Sequence, residues 1–539
     1  MFESKRERNW ILTASVILLF ITTVPYIYAY SQNDQYKFTG FLFGVEDGNS
    51  YIAKMLQGAE GEWLFRSPYT TVEQRGFLAF VPYMLIGKLT SESGQHDQLV
   101  FLFHAFRWLT GILLIFVTYL LCAQFITSIT LRRMATLIAV AGGGSGWFAL
   151  LDPGHLIFGI PLEVYSPETF GFLSLFGLLH LLAARAFLLL GFLFFFRNPK
   201  NIMNSLAGGF CWLMTGLFQP LTIVTGWVYL GGMTGVWILI ILAKQQHKTD
   251  LRWHVLPVVR SAVIMVLVSS PWVIYNLICF STDPYLKQWA AQNLITSPAV
   301  PDYLLSFLVF VPFAVKGVIH SWPKSSEIKW LFPLTVLIVF PVLAYAPFNM
   351  QRRLPDGIWL VIAILAISAF EHGKTRKSLV APTVLTAFSM ITPILILIGA
   401  TQSVRVPSVP IFQPRAQVEA FECLDEVAEH GSIVLAAYET ANALPAWADV
   451  YVPVGLGPES ANFTEVLRDV KSFYSGDLSS DQQIDLLQKY AIDYVFHGAQ
   501  EKKLGDWNPV QERFLQKVCE QNGYAVYEVT IKDRIEKQK

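Results

Sequence analysis

Two adjacent carboxylates, Glu46 and Asp47, stand in the run Gly44-Val45-Glu46-Asp47-Gly48-Asn49-Ser50-Tyr51. A carboxylate can take a proton from an attacking hydroxyl, or it can hold a cation. A short helix beginning near Tyr51 would have this pair just before its first turn, where one acid caps free N–H groups. The second acid is then left for chemistry, and either residue can fill either role. Tyr51, Trp63 and Tyr69 follow closely, with rings that suit the apolar faces of a sugar and equally suit a membrane interface.

The cations that could answer these acids lie far along the chain. Arg352 and Arg353 close the turn Asn349-Met350-Gln351-Arg352-Arg353. Two guanidinium forks there match a lipid phosphate or pyrophosphate in bidentate geometry, or else snorkel toward head groups. His104 and Arg107 are three positions apart and share a helix face, where a phosphate or an acid such as Glu46 or Glu62 would meet the charge. Ser166-Pro167-Glu168-Thr169-Phe170 and then His180 bring another acid and an imidazole. The segment 283–293 ends in Gln292-Asn293, amides able to bind a glycan. The glycine run 142–146 lacks the Lys or Thr that completes a phosphate loop, so close helix packing explains it better. Five cysteines show no metal-ligand spacing, and Cys423 and Cys519 in the polar tail can pair in an oxidising exterior.

The elements that must position these groups are set by lipid. Of 539 residues 53% are hydrophobic and only 15% charged, which marks a polytopic membrane chain. Lys+Arg and Asp+Glu both total 40, so no concentrated basic surface points to nucleic acid. Hydropathy predicts about eleven transmembrane helices, at 10–30, 99–126, 134–151, 175–196, 202–217, 221–243, 255–280, 303–322, 330–346, 357–370 and 380–400. The apolar stretch 77–89 is short and broken by Pro82 and Gly87, so it is expected to lie on or dip into the membrane. With that count, the basic stretches 5–8, 132–133, 197–200, 244–252, 324–329 and 374–377 all fall on one side, the cytoplasm. The acid loop 31–98, the segment 281–302 and everything beyond 401 are then external. The expected division is a membrane module, 1–401, and an extracytoplasmic α/β domain, 402–539, with strands at 431–438, 492–497 and 525–529 and helices at 480–490 and 510–522.

A first span, a long external loop with an acidic pair, an interfacial helix, many further spans and a C-terminal external domain together resemble the GT-C superfamily of membrane glycosyltransferases. Glu46-Asp47-Gly48, Tyr51, Gly58, Gly61 and Trp63 are similar to bacterial members related to the protein mannosyltransferase and arabinosyltransferase groups. The resemblance implies a GT-C-like α-helical polytopic membrane protein that moves a sugar, with inversion, from a polyprenyl-phosphate donor to an extracytoplasmic hydroxyl on a glycan, lipid or protein. It implies Asp47 first and Glu46 second as catalytic base or metal ligand, so a divalent metal ion is the one cofactor it admits. Arg352, Arg353, Arg107 and His104 are then candidates for the donor phosphate, and Glu168 for a second external acid. Tyr51, Trp63, His180 and Gln292 are candidates for substrate contact. Two other classes stay open: a lipid or glycan transporter or flippase, whose inverted repeats and intramembrane acids are not evident here, and a noncatalytic membrane assembly protein.

Overall fold

An apolar segment survives in lipid only as a helix, because a backbone polar group unpaired there costs several kcal/mol (of order 2–7). The computed structural model describes residues 5–32, 34–91, 95–152, 154, 157–243, 248–324, 327–371 and 376–530. Among these, six helices are long and apolar enough to cross a membrane: Lys5–Tyr30, Gln95–Phe125, Leu179–Arg197, Pro220–Ala243, Val255–Thr282 and Val380–Val404. A seventh crossing results if Val300–Phe307 and Val311–Ser321, bent by 75° at their junction, are taken together. The expected eleven are not reached. Ile202–Phe218 and Ile328–Ala344 are shorter apolar helices, and 134–151 divides into Ile129–Ala141 and a 3-10 turn, Gly146–Leu151. The stretch 357–370 yields only Ile358–Ser368, an eleven-residue helix buried along its whole length. A helix enclosed by protein keeps its ends out of lipid, so it needs no spanning length, and hydropathy alone does not separate it from a span.

Packing divides the chain into two compact units. The first comprises Met1–Pro25, His104–Ile278 and Leu294–Ala400, and the second Tyr26–Phe103, Cys279–Asn293 and Thr401–Lys539. The acid loop therefore groups with the C-terminal segment. In the first unit, the Arg132 guanidinium pairs with Glu7 at 2.6 Å, and the Tyr119 hydroxyl donates to the same carboxylate oxygen. The stretches 5–8 and 132–133, assigned to one side by their charge, are thus in contact. The basic stretches 244–252, 324–329 and 374–377 lie wholly or partly outside the described residues.

In the second unit β1 (Tyr36–Phe38) pairs antiparallel with β2 (Phe412–Pro414). Four further strands, β3 (Val434–Leu435), β4 (Tyr494–His497), β5 (Leu515–Gln521) and β6 (Tyr524–Val529), form a sheet ordered β3-β4-β6-β5. Its β3–β4 pairing is parallel and the others are antiparallel. The helix expected at 480–490 is present as Ser480–Lys489, opened by a capping box between Ser479 and Gln482. The helix expected at 510–522 is absent: β5 occupies that stretch and turns into β6 through Asn522 and Gly523, at φ 43° and 91°. Two consecutive residues with positive φ make the tight hairpin turn that Asn-Gly favours. Cys423 and Cys519 are disulfide-bonded, with Cα atoms 6.3 Å apart, which ties helix Arg415–Val427 to β5. The stretch 77–89 contains no span and holds the seven-residue helix Val81–Gly87, packed on helix Val45–Ala59. Both contact points are glycines: a Cβ on Gly87 would meet the Met55 carbonyl at 1.8 Å, and one on Gly58 the Met84 carbonyl at 2.1 Å.

Candidate functional site

Helix Val45–Ala59 begins after Gly44, which adopts φ 58°. Glu46 and Asp47 are in its first turn rather than before it, and both are exposed, while most of the remaining helix is buried. It is thus an internal helix of its unit that shows only its acidic head. Gly48 follows the acids because a Cβ there would meet the Phe41 ring at 2.2 Å.

The acid pair is held by residues of the distant C-terminal segment. The Tyr438 hydroxyl donates to Glu46 Oε2 at 3.3 Å. Asn442 Nδ2 donates to the Glu46 carbonyl at 3.4 Å and the Gly455 carbonyl at 2.9 Å, and Asn442 Oδ1 accepts from Asn49 Nδ2 at 2.8 Å. Tyr438 and Asn442 share helix Tyr438–Ala443. That helix is anchored by buried Glu501, whose two oxygens accept from the N–H groups of Ala437 and Gly498, both at 2.9 Å. Burial pushes the Glu46 carboxyl up, the Tyr438 hydrogen bond opposes this, and the charge of Asp47 adds to the rise. Deeper in the same helix, Lys54 pairs with Glu459 at 2.7 Å.

The other loop candidates are placed as follows. The Tyr51 ring stacks on Tyr83 with centroids 4.9 Å apart, and Lys88 Nζ lies 4.5 Å from the centre of the exposed Trp63 ring. Gln292 Nε2 donates to the Ser460 carbonyl at 2.9 Å, and its neighbour Tyr285 donates to the Glu459 carbonyl at 2.8 Å.

A second cluster forms within the first unit. Glu168 Oε2 is 3.7 Å from Arg352 Nε and Glu168 Oε1 is 3.5 Å from Arg353 Nε, and the Arg352 guanidinium lies 5.4 Å over the Tyr165 ring. Three buried polar atoms here make no hydrogen bond, Glu168 Oε2, Arg352 Nε and Arg353 Nε, while the nearby Tyr303 hydroxyl is paired with Ser297. Buried polar atoms left unpaired in this number mark a place for a polar ligand or water. Arg185 fixes the loop beneath, donating to the Pro167 and Glu168 carbonyls at 3.0 and 2.7 Å while its Nε pairs with Asp356 at 2.6 Å. Arg107 is fully buried. It donates to His104 Nδ1, the Leu175 carbonyl and the hydroxyls of Thr22 and Thr23, at 2.7–3.2 Å. His180 is half-buried at the start of helix Leu179–Arg197.

No family model matches the chain, and no curated protein is similar to it in sequence. Solved structures are similar to it in fold. The archaeal oligosaccharyltransferase AglB from Archaeoglobus fulgidus, in complex with an inhibitory peptide and a dolichol-phosphate, is 13% identical over 92% of this chain and 70% of its own, with a TM-score of 0.54. The arabinofuranosyltransferase AftD from Mycobacteria is also 13% identical, over 97% of this chain and 40% of its own, at 0.55. ArnT from Cupriavidus metallidurans in the apo state is 12% identical over 96% and 97%, at 0.51. These are GT-C glycosyltransferases. The chain has the GT-C fold. With its helices of spanning length, it is an integral membrane protein.

On this GT-C scaffold one acid outside the expected set stands out. Glu163 is buried, and its Oε1 accepts from the Gly146 N–H at 2.8 Å. It also explains the glycine run: a Cβ on Gly146 would meet Glu163 Oε2 at 1.9 Å, and one on Gly144 the Ser306 carbonyl at 1.9 Å. Burial pushes the Glu163 carboxyl up to about 7, against the donors that favour its charge. The fold therefore binds a proton that the unfolded chain has lost, and stability falls as pH rises from about 4.5 through 7, by about 3 kcal/mol in all. Glu163→Gln is expected to remove this dependence, which thermal unfolding at pH 5 and pH 8 measures; an unchanged pH slope refutes the assignment.

Among the described residues no group of three or more His, Cys, Asp or Glu is placed to hold a metal ion. Two carboxylates such as Glu46 and Asp47 would hold a hydrated Mg ion only together with waters and a substrate phosphate, and no step below passes through a metal. Sequence analysis missed Tyr438, Asn442, Glu163 and Glu459. The polar cluster Tyr438-Glu439-Thr440-Ala441-Asn442, directly after an apolar strand, was the one local signal available.

Proposed function

We propose that this chain is an inverting glycosyltransferase that moves a sugar from a polyprenyl-phosphate donor to an acceptor hydroxyl on the extracytoplasmic side of a bacterial cytoplasmic membrane. The observation that carries the proposal is the acid pair itself, exposed at the head of an otherwise buried helix and fixed there by Tyr438 and Asn442. Asp47 takes the proton of the acceptor hydroxyl as that oxygen attacks the anomeric carbon. The bond from that carbon to the phosphate oxygen breaks, and its electron pair leaves with the lipid phosphate. One displacement inverts the anomeric centre. A carboxylate is a weak base at neutral pH, so alignment of the acceptor and stabilisation of the departing anion supply much of the rate. Within the first unit, Arg352 and Arg353 are the groups proposed to hold a lipid phosphate, since their Nε atoms make no hydrogen bond. AglB, which shares the fold, holds a dolichol-phosphate, and this supports a lipid-phosphate donor. Arg107 and His104, already bonded to their neighbours, are assigned to holding the helix ends rather than the phosphate. The acceptor is a glycan, lipid or protein, and the N-terminus is placed in the cytoplasm with the C-terminal segment outside.

The test uses the full chain in lipid vesicles with a panel of radiolabelled sugars on undecaprenyl phosphate and a membrane extract as acceptor. Label is expected to leave the lipid fraction with one of the sugars. Movement of intact labelled lipid across the bilayer, with no cleavage, assigns the chain to transport instead. Retention of every lipid, uncleaved and unmoved, points to an assembly role.

A further inference from the structure

We infer that Glu168 sets the charge of the anion that the arginine pair accepts, admitting a sugar linked through one phosphate and disfavouring one linked through pyrophosphate. The inference rests on the proposal that Arg352 and Arg353 hold the donor phosphate, and it assigns to Glu168 the choice between the two chemical classes of donor.

The geometry around Glu168 differs from that of an ordinary ion pair. Where this chain pairs an arginine with an acid for structure, contact is close: 2.6 Å for Arg185 with Asp356 and 2.6 Å for Arg132 with Glu7. Charge-assisted hydrogen bonds of this kind normally measure about 2.7–2.9 Å. Glu168 instead divides its two oxygens between two arginines at 3.7 and 3.5 Å, beyond hydrogen-bond range, and both Nε atoms remain without a hydrogen bond. Its side chain is only 6% exposed, against 20% and 31% for the two arginines. Arg185 holds its backbone through the Pro167 and Glu168 carbonyls. The carboxylate is thus fixed behind the guanidinium groups, where it cancels one positive charge without using their donors.

The consequence is a charge count. Two guanidinium groups and one carboxylate leave one positive charge in the inner cluster. A sugar phosphodiester carries one negative charge and matches it, whereas a pyrophosphate diester carries two and exceeds it. Asp302, whose Oδ1 accepts from the Gly159 N–H and whose charge bears on the Tyr165 ring under Arg352, lowers the net charge of the wider cluster to zero, which opposes the doubly charged pyrophosphate more than the singly charged phosphodiester. Specificity of this kind is a difference of affinities obtained through a repulsive element. Because the group is buried, solvent screens the repulsion weakly.

The test compares binding of synthetic undecaprenyl-phosphate glucose and undecaprenyl-pyrophosphate glucose to the full chain in nanodiscs by native mass spectrometry. Wild type is expected to prefer the monophosphate by about tenfold or more, and Glu168→Gln to shift the affinity ratio toward the pyrophosphate by about tenfold. Because two arginines without their acid could disturb the fold, Glu168→Gln combined with Arg353→Gln restores the count and is expected to return the ratio to that of wild type. A ratio unchanged in Glu168→Gln, or one that the double variant does not restore, overturns the inference while leaving the phosphate site standing. Binding of neither lipid to wild type overturns the phosphate site itself. A purely structural Glu168 would change both affinities together and leave their ratio fixed.

Discussion

Asp47→Asn is expected to leave the chain folded and able to bind donor lipid while lowering sugar transfer by about 100- to 10,000-fold, the range that a positioned base contributes. The substitution keeps size and shape at an exposed residue in a first helical turn. What it loses structurally is one favourable charge near the helix N-terminus, about 0.3–1 kcal/mol. Glu46→Gln is expected to cost less. Its carboxylate already accepts from Tyr438, and its backbone carbonyl from Asn442, so it is engaged in holding the turn. Asp47→Asn also removes the like charge that helps to raise Glu46, which eases ionisation of Glu46 and gives a small residual rate one physical source. Initial rates for both variants at saturating donor decide the matter. Near-normal turnover in Asp47→Asn with none in Glu46→Gln transfers the base role to Glu46, and near-normal turnover in both removes acid–base chemistry from this loop.

How much of this was legible in the sequence depended on the distance over which each cause acts. The acid pair stood out because position relative to a first span is a local property, and Cys423 and Cys519 stood out as the two cysteines of a polar tail. Of the eleven expected crossings, six or seven are helices of spanning length among the described residues. Ile358–Ser368 is as hydrophobic as any span, and only its enclosure by other helices makes it an eleven-residue internal element. The mistaken helix at 510–522 came from reading an amphipathic spacing while passing over Asn522-Gly523, a local turn signal strong enough to have reversed the assignment. Tyr438 and Asn442 were beyond reach for another reason. Asn442 meets Asn49 across 393 positions of chain, and no periodicity in one segment announces the hydrogen bonds it will make with another. The glycines at 58, 87, 144 and 146 occupy an intermediate place. Close packing was the right reading for the run at 142–146, but which backbone or carboxylate approaches each glycine is known only from the fold.

Lys54→Met is expected to destabilise the second unit by about 3–5 kcal/mol, more than any exposed substitution in it, because it strands a buried acid. The Lys54 and Glu459 side chains are 2% and 6% exposed and meet at 2.7 Å. Lys54 Nζ also donates to Ser50 Oγ and lies 4.3 Å from the centre of the Phe80 ring, while Glu459 Oε2 accepts from Ser67 Oγ at 2.8 Å. Every polar atom of the pair is thus answered, which is the condition under which a buried ion pair recovers the cost of desolvating both charges. Removing the cation leaves a buried carboxylate with the Ser67 hydroxyl as its remaining side-chain donor. Removing both charges is a different experiment: Lys54→Met with Glu459→Gln is expected to recover most of the loss, since the methionine keeps the packing against Phe80 and the amide still accepts from Ser67. Chemical denaturation of the purified chain, followed through the tryptophans, reads all three proteins, and a Lys54→Met chain as stable as wild type refutes the argument. The outcome also bears on catalysis. Lys54 lies two turns below Asp47 on the same helix, and Glu459 belongs to the loop at 454–460 whose Gly455 carbonyl accepts from Asn442. The ion pair and the Asn442 amide therefore pin that helix at two heights to one segment. The double variant, folded but without its charge contact, should keep its affinity for donor while transferring sugar more slowly, because the lower of the two pins no longer fixes the angle at which Asp47 meets the acceptor.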